Sequence, residues 1–140
     1  KELKYIPIYG WYTSRLGHIF IDRKNGIKSI NLLRKKVALL IKKKYKVVIF
    51  PEGSRQKDGK VGLIKPGIFA IHKESKSPVY PIYINSGKTW PKDGFLVYNR
   101  NIYISTNEPI KNIFEKAKFL RKLKIVLERA SKKHEIKYKQ

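Results

Sequence analysis

The sequence predicts an α/β fold in a single domain, with a mixed and mostly parallel sheet flanked by helices. Strand-forming residues at 18–22 are followed by a long amphipathic pattern and then by a second strand-forming run at 46–50. A strand, a helix and a strand of these lengths favour a right-handed crossover between parallel strands. The 140 residues are enough for one hydrophobic core, and they contain no evident internal repeat.

The first elements follow from the spacing of apolar residues. Pro7 and Gly10 are expected to interrupt any helix near the start of the sequence. Between residues 27 and 41, apolar side chains recur at helical spacing with basic ones mostly between them, which predicts an amphipathic helix. The β-branched run at 47–49 predicts a buried strand, and Pro51 ends it because proline donates no ladder hydrogen bond.

The remaining elements are strands and helices of ordinary length. Three strands are predicted, at 79–84, 95–98 and 102–105, and the last two are expected to pair around residues 99–101. Pro81 lies in the first of them, which favours a sheet edge or a bulge there. Two helices are predicted, one opening at Pro66 and running to about residue 72, and one from about 109 to 132. Residues 133–140 are expected to fray as a tail.

The turn at 50–55 combines residues suited to a small polar site, with the sequence Phe-Pro-Glu-Gly-Ser-Arg. It follows a predicted strand, and ligands of open α/β sheets bind beyond the carboxyl ends of strands. Arg55 has a rigid fork of donors that matches a phosphate, and Gly53 lets a ligand approach the backbone. A parallel sheet would bring Arg23 to the same end. An ordinary turn with a surface ion pair explains the same residues without a ligand.

The composition restricts the chemistry further. Lys and Arg number 33 against 10 Asp and Glu, giving a formal net charge of +23. Such a charge indicates an anionic partner, which is a nucleic acid, an anionic bilayer or a phosphorylated ligand. The absence of cysteine excludes disulfides, thiol nucleophiles and cysteine metal sites from this sequence. No apolar run approaches the ~18 residues of a membrane span.

Several segments resemble, in the same order, the motifs of the glycerolipid acyltransferases, the 1-acylglycerol-3-phosphate acyltransferase family. Residues 50–55 resemble the family's F-P-E-G-(T/S)-R motif, and residues 17–23, GHIFIDR, resemble its G-x-x-F-I-D-R motif. The weaker matches are residues 1–11 before the second motif, the lysine-proline-glycine turn at 65–67, and the proline-centred fourth motif at 79–84. The resemblance covers residues 1 to about 86 and implies the fold of the glycerol-3-phosphate acyltransferases.

The resemblance implies an acyl-acceptor site around these motifs. Arg23 and Arg55 would share a phosphate, because a dianion needs more than one cationic partner. Glu52 would accept hydrogen bonds from glycerol hydroxyls or orient Arg55, and Gly53 and Ser54 would supply backbone donors. Lys65 is a third candidate cation, although it is one lysine among many. The substrate-binding residues predicted in this way are Arg23, Glu52, Gly53, Ser54, Arg55 and Lys65.

The family's catalytic Asn-His-x4-Asp motif does not occur in this sequence. His18, His72 and His134 are followed at that spacing by arginine, serine and lysine rather than aspartate. We therefore assign no catalytic residue and interpret residues 1–140 as an acyltransferase domain that is incomplete at its N-terminus. The 140-residue chain is accordingly expected to be inactive alone. A protein without acyltransferase chemistry is the alternative.

The resemblance implies transfer of a fatty acyl group to 1-acylglycerol-3-phosphate, the step of phospholipid biosynthesis that forms phosphatidic acid. The donor would be acyl-CoA or acyl-carrier protein, and no metal or other cofactor is implied. We also expect association with an anionic membrane surface, at its cytoplasmic face. The alternatives are a non-catalytic lysophospholipid-binding protein and a basic nucleic-acid-binding module. The nucleic-acid alternative rests on charge and tyrosines, without a recognisable RNA-binding motif.

Overall fold

The computed structural model describes residues 8–16, 19, 26–54, 56, 60–91, 95–99 and 101–137. The chain divides into two compact units, Lys1–Val47 and Val48–Gln140. Within the described ranges, no helix combines the length and the apolar character needed to cross a membrane.

The first unit contains two helices, α1 (Tyr9–Arg15) and α2 (Gly26–Lys42). Helix α1 forms despite Gly10, whose carbonyl accepts a hydrogen bond of 2.6 Å from the Ser14 hydroxyl. Helix α2 confirms the amphipathic helix predicted between residues 27 and 41. It ends in a Schellman motif, because Lys44 adopts a left-handed φ of 65° and the Tyr45 N–H donates to the Leu40 carbonyl.

The second unit contains helices α3 (Gly67–Ser75) and α4 (Lys116–Lys137) and strands β1 (Ile82–Ile84) and β2 (Ile104–Thr106). The strands are antiparallel, with Tyr83 opposite Ser105. An isolated bridge between Val79 and Ile110 extends the pairing. Helix α3 confirms the helix predicted to open at Pro66.

The core of the second unit lies between α3, α4 and the inner face of β1. Helix α4 contributes apolar residues at intervals of three or four positions, which lie along one side of a helix. Phe119 is completely buried and its ring lies 5.7 Å from the ring of Phe69. The buried cluster consists of Ile64, Ile68, Tyr83, Ile110, Phe119, Leu123, Leu127 and Ala130.

The bounds of the last helix differ from the prediction at both ends. Helix α4 begins at Lys116 rather than near residue 109, because Ile110 is held in the bridge to Val79 and Asn112 adopts a left-handed φ of 54°. The helix continues to Lys137, so residues 133–137 of the predicted frayed tail are helical. Residues 138–140 lie outside the described residues.

The strand predictions are confirmed only in part. β1 lies within the predicted strand at 79–84, and β2 overlaps the one at 102–105, but β2 pairs with β1 rather than with residues 95–98. Residues 95–98 and 46–50 are neither helix nor strand. Of the strand predicted at 18–22 only residue 19 is described, so its parallel pairing stays a prediction. The sheet seen among the described residues is antiparallel.

Candidate functional site

The turn after residue 49 is a compact backbone structure. The Gly53 N–H donates to the Phe50 carbonyl at 3.1 Å and closes a four-residue turn. Pro51 at the second position suits such a turn, since its ring presets φ. Gly53 has φ of 71°, a left-handed value that glycine adopts without steric penalty. Because the Gly53 N–H is used inside the turn, the backbone donor predicted there is not directed at a ligand.

Lys65 lies against this turn although it is distant in the sequence. Its N–H donates to the Pro51 carbonyl at 3.0 Å, which aligns residues 60–65 with the turn. A Cβ built on Gly53 would lie 2.8 Å from Lys65 Nζ and 3.2 Å from Lys65 Cε. The lysine side chain therefore passes directly over Gly53 and remains exposed to solvent. The left-handed φ favours glycine at this position, and a larger side chain would displace the end of Lys65.

Glu52 connects the turn to the segment that carries Lys65. Its half-buried carboxylate accepts hydrogen bonds from the backbone of Gly62 and from the side chain of Gln56. Desolvation raises the pKa of Glu52 above its ordinary value, while these two hydrogen bonds act in the opposite direction and lower it. The carboxylate thus holds residues 50–54 and 60–65 together.

Gln56 and Gly62 were not predicted from the sequence. Besides Glu52, the Gln56 amide nitrogen donates to the Ser54 carbonyl at 3.1 Å and to the Ser54 hydroxyl at 3.3 Å. A Cβ built on Gly62 would overlap the Gln56 amide, so a larger residue there would displace the Gln56 side chain from this position. The sequence offered one signal, a glycine in a polar loop close behind the motif, but not the contact that explains it.

The structure therefore brings together four of the six predicted site residues, namely Glu52, Gly53, Ser54 and Lys65. The other two, Arg23 and Arg55, lie outside the described residues, so their convergence on this turn stays a prediction. Chemically, the described part of the site has an exposed ammonium above a tight turn and a carboxylate engaged by two donors. Such an arrangement suits binding of an anion at Lys65 rather than proton transfer at Glu52.

The two described histidines have structural surroundings. His72 is 1% exposed, and its Nδ1 lies 2.8 Å from the Ser77 carbonyl, to which it donates. Its ring stacks on Phe119 and Phe114, with centroids 4.7 and 5.6 Å away. His134 stacks between the rings of Tyr83 and Tyr103. Their ring contacts are stacking and one backbone hydrogen bond, with no carboxylate or hydroxyl partner among the described residues. Among the residues described, no group of three or more candidate ligands suits a metal ion.

The chain matches known proteins over most of its length. The sequence model of the family described as Acyltransferase matches residues 1–85. The chain is 36% identical over 104 residues to the 1-acyl-sn-glycerol-3-phosphate acyltransferase of Pseudomonas aeruginosa. The aligned region covers 74% of this chain and 40% of that relative. It is 30% identical over 106 residues to the enzyme of the same name from Saccharomyces cerevisiae, covering 74% of this chain and 35% of that relative.

A solved structure has the same fold. The crystal structure of the 1-acyl-sn-glycerophosphate (LPA) acyltransferase PlsC from Thermotoga maritima superposes with a TM-score of 0.78 at 21% identity, covering 96% of this chain and 54% of that one. The predicted α/β fold class is thereby confirmed. The chain spans about 40% of the length of its Pseudomonas relative. Since the family model matches 85 of the 140 residues, in agreement with the motifs, the chain belongs to the acyltransferase family.

Proposed function

We propose that this protein transfers a fatty acyl group from acyl-CoA or acyl-carrier protein to the hydroxyl of 1-acylglycerol-3-phosphate in phospholipid biosynthesis. The observation that carries the proposal is the turn at 50–54 with Lys65 across it, in a chain whose relatives are named for this reaction. A phosphate-bearing acceptor explains why a cation is held over a tight glycine turn.

The acceptor phosphate is proposed to bind at Lys65. The lysine backbone is fixed by its hydrogen bond to Pro51, and the side chain is guided over Gly53, so the ammonium reaches the turn at a defined place. One ammonium is a point charge, whereas a phosphate dianion needs further donors. By the motif resemblance, Arg23 and Arg55 supply them.

Glu52 is proposed to act mainly on the shape of the site. Its carboxylate is engaged by Gly62 and Gln56, which leaves it suited to fixing the turn and the lysine segment in register. The proton of the attacking hydroxyl must go to a general base. Neither described histidine is placed for this task, so we expect the 140-residue chain to bind acceptor without transferring an acyl group.

We further propose that the protein docks peripherally on an anionic membrane surface, at the cytoplasmic face. Its net charge of +23 supports this, because each basic residue near an anionic surface contributes roughly 1 kcal/mol. Helix α4 alone has eight exposed basic side chains. They are Lys116, Lys118, Arg121, Lys122, Lys124, Arg129, Lys132 and Lys133.

Binding of the acceptor tests the proposal directly. Calorimetry with 1-oleoyl-lysophosphatidate, below the concentration at which it forms micelles, should give measurable binding, and 1-oleoylglycerol, which lacks the phosphate, should bind at least tenfold more weakly. Lys65→Ala should weaken lysophosphatidate binding by about fivefold to twentyfold, equivalent to about 1–2 kcal/mol. Lys60→Ala is the matched control, because Lys60 is exposed in the same segment.

Equal affinity for the two lipids would contradict a phosphate site. Equal losses in the Lys65 and Lys60 variants would show that the attraction comes from net charge alone. Release of CoA, followed with a thiol reagent, tests the expectation that the 140-residue chain alone transfers no acyl group. This chain has no cysteine, so it contributes no thiol background of its own.

A further inference from the structure

The connection between β1 and β2 exposes several large apolar side chains. We call residues 85–103 the β1–β2 loop. Four large apolar side chains within nine positions of this loop are exposed to solvent: Trp90, Phe95, Leu96 and Tyr98. Phe95 is 95% exposed and Tyr98 is 80% exposed. Single exposed apolar residues are ordinary, but a group of this kind in one short segment indicates a binding surface.

The base of the loop is held firmly, so the exposure does not come from a frayed segment. Asn85 is 1% exposed, and its side-chain oxygen accepts a hydrogen bond of 2.7 Å from the Tyr103 N–H. The Asn85 amide nitrogen donates to the Asn101 carbonyl at 3.4 Å. Closer to the tip, the Val97 N–H donates to the Thr89 carbonyl at 2.8 Å. These bonds join the two sides of the loop.

The chemistry of the exposed side chains favours a lipid surface as the partner. Tryptophan and tyrosine have an apolar body and a polar tip, and they concentrate where a bilayer meets water. Leucine and phenylalanine add apolar area of the kind that anchors interfacial segments. The charge agrees, because Lys and Arg number 33 against 10 Asp and Glu in the chain, and Lys88 precedes Trp90 by two positions.

We propose that Trp90, Phe95, Leu96 and Tyr98 of the β1–β2 loop enter the headgroup region of an anionic bilayer and anchor the protein there. The inference rests on the membrane docking proposed above and names the surface that performs it. Basic residues elsewhere, including those of α4, supply the long-range attraction, whereas the loop supplies the apolar contact.

The two tryptophans of the chain, Trp11 and Trp90, provide the test. Trp11→Phe leaves Trp90 as the sole tryptophan, and Trp90→Phe leaves Trp11, which is also exposed, for comparison. Vesicles of phosphatidylglycerol and phosphatidylcholine in equal amounts should shift Trp90 emission to shorter wavelength, and brominated lipid should quench it. The emission of Trp11 should shift less than that of Trp90, and pure phosphatidylcholine vesicles should shift neither residue.

A second pair of variants measures the strength of the anchor. Phe95→Ser with Leu96→Ser should lower partitioning into the mixed vesicles by about tenfold or more. Ile82→Ser with Ile104→Ser removes two exposed apolar side chains of the strands, outside the loop, and should leave partitioning within twofold. Circular dichroism checks that all variants remain folded.

The outcomes separate the two proposals. If the unaltered chain does not bind anionic vesicles, both the membrane partner and the loop anchor are wrong. If it binds and the loop variants bind equally well, or if Trp11 inserts instead of Trp90, the loop inference is wrong while membrane docking stands.

Discussion

Replacing Gly53 with alanine is expected to destabilise the chain by about 1–2 kcal/mol, because an L-residue in the left-handed region costs about that much. Gly53 has φ of 71°. The added methyl group would also lie 2.8 Å from Lys65 Nζ, a contact that real Cβ atoms do not make. The lysine end is flexible and can move aside, so the strain stays in the backbone while the ammonium leaves the turn.

The substitution therefore has two separable effects. Urea unfolding followed by circular dichroism should give a lower midpoint with an unchanged slope. Binding of lysophosphatidate should weaken together with stability, by a factor similar to that of Lys65→Ala. In Gly53→Ala combined with Lys65→Ala the binding losses should not add, since both act through one ammonium.

Gly67→Ala is the matched control for Gly53→Ala. Gly67 is the first residue of α3, and a Cβ built on it meets no atom within 4 Å. Alanine should therefore be neutral or stabilise by up to about 1 kcal/mol. Gly53→Asn should recover part of the stability, because asparagine tolerates left-handed φ better than alanine. The reasoning fails if Gly53→Ala unfolds at the same urea concentration as the unaltered chain, or if Gly67→Ala is destabilised equally.

Three further predictions concern stability. Because burial raises the pKa of Glu52, the folded state binds the Glu52 proton more tightly than the unfolded state does. The stabilisation from Glu52 is therefore present below its unfolded pKa and is lost as the pH rises through its folded pKa. Glu52→Gln should flatten this part of the pH–stability curve, and an unchanged slope would contradict the prediction. Tyr83→Phe removes the hydroxyl that accepts a 3.2 Å hydrogen bond from Ser131, and thermal unfolding should show a loss of about 0.5–1.5 kcal/mol of folding free energy. In a double-mutant cycle with Ser131→Ala the two losses should not add, because both variants remove the same hydrogen bond. Phe119→Ala should cost about 3–5 kcal/mol in urea unfolding, since Phe119 is completely buried; a loss below about 1 kcal/mol would show that the core lies elsewhere.

Local sequence patterns predicted the positions of the helices more accurately than the pairing of the strands. Helix α2 and helix α3 follow from apolar spacing and from a proline at the helix start, both of which act over a few neighbouring residues. The predicted start of α4 was wrong because Ile110 pairs with Val79, which lies 31 positions earlier. That contact overrides the helical preference of the residues around Ile110. Tertiary pairing of this kind leaves no signal in a single periodic pattern.

In the candidate site, too, features set by neighbouring residues were predicted and features set by distant contacts were not. Gly53 was predicted from the motif and its turn chemistry, and the structure gives it the left-handed φ that the turn requires. Lys65 had no distinguishing feature among the basic residues, because its position depends on a backbone hydrogen bond to Pro51. Gln56 and Gly62 were missed for the same reason, because their contacts with Glu52 depend on the packing of residues 60–65 against the turn.

The hydrogen bond between the Lys65 N–H and the Pro51 carbonyl fixes the position of Lys65 relative to the turn. The geometry of the site therefore does not depend on how many residues join the turn to Lys65. Closing a flexible segment becomes only about 0.6 kcal/mol harder with each doubling of its length. Extra residues between Gln56 and Lys60 would therefore leave the lysine over the turn at little energetic cost. The stretch can change in length while the phosphate contact proposed for Lys65 stays in place.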